Sequence, residues 1–151
     1  MIFFVHDDVG YKIIKFILSN YPEDIKIIFY KKINKNFQKE LKNKLPNAKY
    51  LLWKNKNEKK FINLIKSLNC KLIFLLWWPN IISLKLIQST TNGCINIHPG
   101  YLPFFKGKDP NFWSILFNGP FGVSIHYVNK FIDSGPIIFR EKINNFEYDK
   151  N

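Results

Sequence analysis

The chain has 151 residues, 46% of them hydrophobic and 17% aromatic, with a formal charge of +12. That length and apolar share suit one compact domain with a real core and exclude wholesale disorder. The longest apolar run, residues 72–79, is too short to cross a bilayer, and the opening MIFFVHDD is not a signal peptide, so a soluble cytoplasmic protein is expected.

Residues 2–5 read as a short strand, and Val9, Ile13, Ile14, Ile17 and Leu18 recur at helical spacing after it. The turn between them, His6-Asp7-Asp8-Val9-Gly10, lacks the GxGxxG and GxxxxGKS/T arrangements that bring backbone amides to phosphates, and its two carboxylates would repel one. Dinucleotide oxidoreductases and P-loop hydrolases are therefore disfavoured. Asp7 and Asp8 are expected to open the helix, with Asp8 as its cap.

Residues 25–30 form the second expected strand, followed by a Lys-rich helix striped by Phe37, Leu41 and Leu45. Residues 48–53 form a short third strand, and Phe61, Leu64, Ile65 and Leu68 mark the next helix. Residues 71–76 are almost continuously apolar, as in a strand buried on both faces. Four strands with crossover helices predict an α/β fold with a Rossmann-like, mostly parallel sheet flanked by helices. No linker or repeat interrupts the pattern, so residues 1–151 are read as one domain.

Thirteen lysines face only Glu40 and Glu58 between positions 26 and 66, a net +11, whereas the rest of the chain carries +1. Arg140 is the single arginine, beside 18 asparagines and one alanine, Ala48. This bias fits an A/T-rich coding sequence in which lysine is the default surface residue. Bidentate phosphate and base recognition favours arginine, so a solvated lysine face is preferred to a nucleic-acid partner. The surface could still draw in an anionic small molecule. Cys70 and Cys94 show neither CxxC nor metal-ligand spacing, and no metal site is expected.

The second half carries the chemistry. Gly93-Cys94-Ile95-Asn96-Ile97-His98-Pro99 reads as a strand running into a loop, and the two-residue period puts Asn96 and His98 on one face. A constrained Pro/Gly loop follows to Pro110, then a helix over residues 111–117 and a strand over residues 121–128. Asn129-Lys130-Phe131-Ile132-Asp133-Ser134-Gly135 is a turn before a strand over residues 136–140. Its carboxylate can approach the Asn/His pair at the carboxyl end of the sheet, where open α/β folds place ligands.

INIHPGYLPFFKG resembles the NIHPxLLPxxxG signature of the folate-dependent formyltransferases, and GVSIHYVNKFIDSGPII resembles the strand and Asp-containing turn that follow it. The intervening KDPNFW region is most similar to enzymes acting on nucleotide-linked amino sugars. Singly, Asn96 could cap a loop, His98 could be a core histidine, and Asp133 could organise a turn beside Gly135. Their order and the loop between them make the resemblance specific over residues 72–141; the N-terminal half agrees in pattern only. The resemblance implies the formyltransferase fold, with later strands antiparallel.

It also implies transfer of a formyl group from the co-substrate 10-formyltetrahydrofolate to a primary amine, without a metal. A tetrahedral oxyanion needs donors, and Asn96 and His98 can supply them. The attacking amine must lose a proton, for which Asp133 is the acceptor; a carboxylate nearby would favour protonated His98. By the same resemblance Trp78, Asn80, Ile82, Asn129 and Ile132 bind the folate, with Phe131 beside the ring and His126 in support. Tyr101, Lys106 and Lys108 line the loop toward the acceptor, where a lysine could meet a phosphate. The acceptor expected is a nucleotide-linked amino sugar, and a homodimer is compatible. Glycinamide ribonucleotide and methionyl-tRNA are the alternative acceptors; a folate- or nucleic-acid-binding remnant is the non-enzymatic one. Relatives of this kind usually continue with a further helix, so a catalytic domain shortened at its C-terminus is expected.

Overall fold

The computed structural model describes residues 1–21, 25–32 and 34–143. The chain divides into two units, Met1–Asn96 and Ile97–Asn151. In the first, β1 (Ile2–Val5), β2 (Ile27–Tyr30), β3 (Lys49–Leu52), β4 (Ile73–Leu76) and β5 (Cys94–His98) lie in the order β3-β2-β1-β4-β5. Every pairing among them is parallel; β5 pairs through Cys94, Ile95 and Asn96, and its last two residues open the second unit. The order reverses between β1 and β4, the arrangement that leaves a crevice at the carboxyl ends of the strands in open α/β sheets.

The sequence explains the layering. All four β1 residues are buried, as are Ile27, Ile28 and Phe29 of β2, because a strand covered on both faces has no solvent side. Phe4 packs against Phe29, Trp53 and Trp78 with ring centroids 4.7, 5.1 and 5.0 Å away. Burying each such ring stabilises the unit by about 1.5–3 kcal/mol. Helices α1 (Asp7–Asn20), α2 (Lys35–Lys44) and α3 (Glu58–Ser67) form where the periodicity places them: α3 buries Phe61 and Ile65 and α2 buries Leu41, but α1 buries Tyr11 with Ile14 and Leu18 and leaves Val9 exposed, because the face toward the sheet is centred on Tyr11 and Ile14. Gly10 is required where α1 crosses β4, since a Cβ there would lie 2.5 Å from the Leu76 carbonyl oxygen.

Several expectations change in detail. Asp8 is not the cap: α1 begins at Asp7, which has φ of 54°, and the Asp7 carboxylate accepts the Asp8 amide at 3.0 Å. The strands β2 and β4 begin two residues later than expected, where their paired register begins, and β3 is one residue shorter at each end. A short helix α4 (Leu84–Ile87), too brief to show a period, is capped by the Ser83 hydroxyl, which accepts the Leu86 amide and donates to Glu58.

In the second unit, α5 (Pro110–Leu116) starts one residue earlier than expected, with proline in its first turn. Strands β6 (Gly122–Tyr127) and β7 (Ile137–Lys142) pair antiparallel, Ser124 opposite Arg140, with an irregularity between Ile125 and His126. Their connection returns through Gly135, where a Cβ would fall 1.7 Å from the Tyr127 carbonyl oxygen. Trp113 and Phe117 stack on the exposed side of α5. Among the described residues no helix is long and apolar enough to cross a membrane.

Candidate active site

Strand β5 delivers Asn96 and then, two residues later and on the same side by strand period, His98. His98 is 3% exposed. Its Nδ1 lies 3.4 Å from Asp133 Oδ2, and its Nε2 lies 3.2 Å from the Phe105 carbonyl oxygen. Both ring nitrogens thus face oxygens that only accept, so either neutral tautomer turns a lone pair toward one of them, whereas an imidazolium would satisfy both. Gly100 lies against the same ring: a Cβ there would come within 2.7 Å of Nε2.

The loop after β5 is shaped by its own backbone conformation and by the side chains that grip it. Phe105 has φ of 52° and Gly107 of 88°, left-handed conformations that turn the Phe105 carbonyl to His98 and the Gly107 amide to Asp133. The Gly107 amide donates to Asp133 Oδ2 at 2.9 Å. Ser124 on β6 donates to the Gly100 carbonyl at 2.7 Å and accepts the Leu102 amide at 2.9 Å. Lys106 Nζ donates to Ser134 at 3.0 Å, tying the loop to the turn that holds Asp133.

Asp133, with φ of 43°, is held from three sides. Besides His98 and Gly107, it meets His126 Nε2 at 3.4 Å from its Oδ1, while His126 Nδ1 faces the Tyr127 carbonyl oxygen at 2.8 Å. Burial pushes the Asp133 carboxyl up, but the His126 hydrogen bond, the Gly107 amide and the two imidazoles outweigh it, and the net direction is down. Asp133 is a carboxylate at neutral pH. Burial also pushes His98 below its ordinary value, against the opposing pull of Asp133 and the Phe105 carbonyl. The expectation that a nearby carboxylate would favour protonated His98 is therefore corrected: desolvation of the ring outweighs the attraction.

The second unit thus brings together His98 and Asp133, with Asn96 immediately before it on β5. His126 is a direct partner of the carboxylate. Of the acceptor-facing residues, Tyr101 lies under the Arg140 guanidinium, 4.7 Å from carbon to ring centroid, and Lys106 is engaged by Ser134. Lys108 is exposed beside Asp109. Of the folate-binding residues, Trp78 is packed into the aromatic cluster of the first unit, also meeting Trp53 edge-on at 5.9 Å. Its Nε1 is buried with no hydrogen-bond partner among the described residues. Asn80 accepts from Lys31 at 2.9 Å, and Ile82 is buried. In the second unit Asn129 folds its own turn by accepting the Phe131 amide, and Ile132 and Phe131 are exposed. The Gly107 amide and the Phe105 carbonyl were not legible as site groups, since backbone atoms leave no side-chain signature, and Ser124 was not, since a lone serine in a strand carries no motif. Among the described residues no group of His, Cys, Asp or Glu could hold a metal ion.

The formyl transferase family model matches residues 24–151. The chain belongs to the formyl transferase family. Over 84 residues it is 34% identical to the methionyl-tRNA formyltransferase of Prochlorococcus marinus (strain AS9601), covering 55% of this chain and 26% of that protein. A phosphoribosylglycinamide formyltransferase from Bacillus halodurans shares the fold, with a TM-score of 0.80 at 21% identity over 99% of this chain and 82% of that one. A sugar N-formyltransferase from Shewanella sp. FDAARGOS_354 superposes with a TM-score of 0.71 at 25% identity, over 99% of this chain and 59% of that one. The chain spans about a quarter of the length of the curated relatives it matches. Formyl transferase membership accounts for the mostly parallel sheet followed by an antiparallel pair.

Proposed function

We propose that this chain catalyses transfer of a formyl group from 10-formyltetrahydrofolate to a primary amine, the acceptor being a nucleotide-linked amino sugar. The observation that carries the reaction is the buried His98–Asp133 pair, 3.4 Å apart, at the end of the strand that bears Asn96. The neutral amine attacks the formyl carbon, and its nitrogen becomes positively charged as the carbonyl oxygen becomes an oxyanion. The Asn96 amide and the His98 Nε2–H donate to that oxyanion, the latter exchanging the Phe105 carbonyl for the formyl oxygen. Asp133, ionised and oriented by His126 and Gly107, accepts the amine proton. Collapse of the intermediate breaks the bond between the formyl carbon and the folate nitrogen, which takes up a proton and leaves as tetrahydrofolate.

Asn129 and Ile132, on the turn of the second unit that carries Asp133, are proposed to hold the formyl donor. Tyr101 and Lys106 are proposed to face the acceptor. The sugar acceptor is supported by the KDPNFW segment and by the likeness to the Shewanella sugar N-formyltransferase along almost the whole chain. A second reading, methionyl-tRNA as acceptor, is favoured by the identity to the Prochlorococcus enzyme and by the net +11 of residues 26–66.

The test is tetrahydrofolate release from 10-formyltetrahydrofolate with dTDP- and GDP-linked amino sugars, glycinamide ribonucleotide and methionyl-tRNA. Release that depends on a nucleotide-linked amino sugar is the expected result; release with methionyl-tRNA alone establishes the second reading, and no release with any amine overturns both. Within an active enzyme, Asn96→Ala, His98→Ala and Asp133→Ala should each lower kcat by about 10²–10⁴-fold. Near-normal turnover in all three would sink the mechanism.

A further inference from the structure

Arg140 is the one arginine in a chain that otherwise meets its need for positive charge with 22 lysines. A sequence with lysine as its default cation keeps an arginine where a point charge on a flexible stem does not serve. The geometry at Arg140 is of that kind. Its Nη1 donates to the Leu102 carbonyl at 2.7 Å, and the guanidinium carbon lies over the Tyr101 ring, 4.7 Å from its centroid. Gly122 also packs close to Tyr101: a Cβ there would come within 2.8 Å of the ring.

The neighbouring strand completes the grip. Ser124 on β6 stands directly opposite Arg140 on β7, so their side chains share a face of the pair. Ser124 takes the Leu102 amide and Arg140 takes the Leu102 carbonyl. Both polar groups of one fully buried residue, Leu102 at 1% exposure, are thus held by one cross-strand pair. From this anchor the chain runs three residues to the Phe105 carbonyl on His98 and five to the Gly107 amide on Asp133.

We infer that Arg140 is a positioning residue for formyl transfer: with Ser124 and the Tyr101 ring it fixes residues 101–107 so that Phe105 and Gly107 hold His98 and Asp133 in register. This rests on the reading of the site given above. Arg140 touches neither reacting atom, and its effect passes through the loop. Lysine cannot replace it, because an ammonium has no plane to lay on Tyr101 while donating in-plane to a carbonyl.

The experiment compares wild type, Arg140→Ala and Arg140→Lys in three readouts. Arg140→Ala should lower kcat about tenfold to a hundredfold while the KM for the formyl donor stays within about twofold. The acid limb of its kcat profile should move to higher pH, because Asp133 keeps His98 and His126 but loses the Gly107 hydrogen bond. Amide hydrogen exchange should quicken at Leu102 and Gly107 but not in β1 or β4. Arg140→Lys should behave like Arg140→Ala. An Arg140→Ala enzyme with wild-type kcat and pH profile, unchanged exchange at Gly107, or full rescue by lysine overturns the assignment. A wild type that releases no tetrahydrofolate with any amine overturns the functional reading itself, and is seen before any variant is compared.

Discussion

Gly100 shows how little space the site leaves around its histidine. It carries no positive φ, so alanine would be tolerated by the backbone; what forbids it is the imidazole, 2.7 Å from where a Cβ would stand, and the Pro110 side chain at 2.9 Å. Gly100→Ala should therefore turn the His98 ring and lower kcat about a hundredfold, with binding of the formyl donor kept within a few-fold. Steady-state kinetics beside a donor-binding titration checks this, and wild-type kcat would show that the ring has room. At this scale the sequence was largely legible. Asn96, His98 and Asp133 could be picked out because each is a polar side chain at a position where strand period and turn chemistry make its direction predictable. Trp78 shows the limit. An indole in a loop after a strand serves a ligand or a core equally well, and its edge-on packing against Phe4 and Trp53 is visible only in the fold.

Among the elements, the antiparallel pair of β6 and β7 works as a frame for the loop as well as a piece of sheet. Ser124 is wholly buried, and its hydroxyl is the partner of both the Gly100 carbonyl and the Leu102 amide. Ser124→Ala removes two buried hydrogen bonds while the Leu102 amide and Gly100 carbonyl keep the 3.1 Å bond to each other, at a cost of about 0.5–1.5 kcal/mol per bond lost. Chemical denaturation should show that loss, whereas Ser114→Ala on α5, whose hydroxyl donates to the Pro120 carbonyl, should cost less. Equal losses would deny the loop this special anchorage. The elements themselves followed from apolar runs and periods, since strands buried on two faces and helices buried on one leave distinct patterns in Ile, Leu and Phe. Their ends did not, because ends depend on pairing partners and caps. The start of α1 is the case in point, where an acidic pair reads as a cap but Asp7 already belongs to the helix.

At the scale of the whole molecule, the site makes stability depend on pH. His98 and Asp133 are both held below their unfolded values in the folded state, so on acidification the unfolded chain binds their protons first. Their contributions are present above the unfolded values of 6.5 and 3.8, and are lost as pH falls through them, His98 first. The denaturation midpoint should fall between about pH 7 and about pH 5, and His98→Gln should flatten that fall. A midpoint constant over this range in the wild type would mean that the ring is not desolvated. The overall charge was legible but does not mark the chemistry: the net +11 of residues 26–66 lies in the first unit, whereas the reaction is proposed to turn on the Asp133 carboxylate and the His98 ring beside it.

The placement of the indoles gives the protein two optical reporters of its own. Trp53 and Trp78 are locked edge-on within the first unit, while Trp113 stands on α5 of the second, 40% exposed and stacked on Phe117. Replacing Trp113 with phenylalanine leaves an emission that comes from the first unit alone, Trp77 adding a partly exposed fluorophore to it. The difference between the two spectra belongs to the unit that carries His98 and Asp133. Melting of the two halves can then be followed by wavelength in one cuvette, without a label on either.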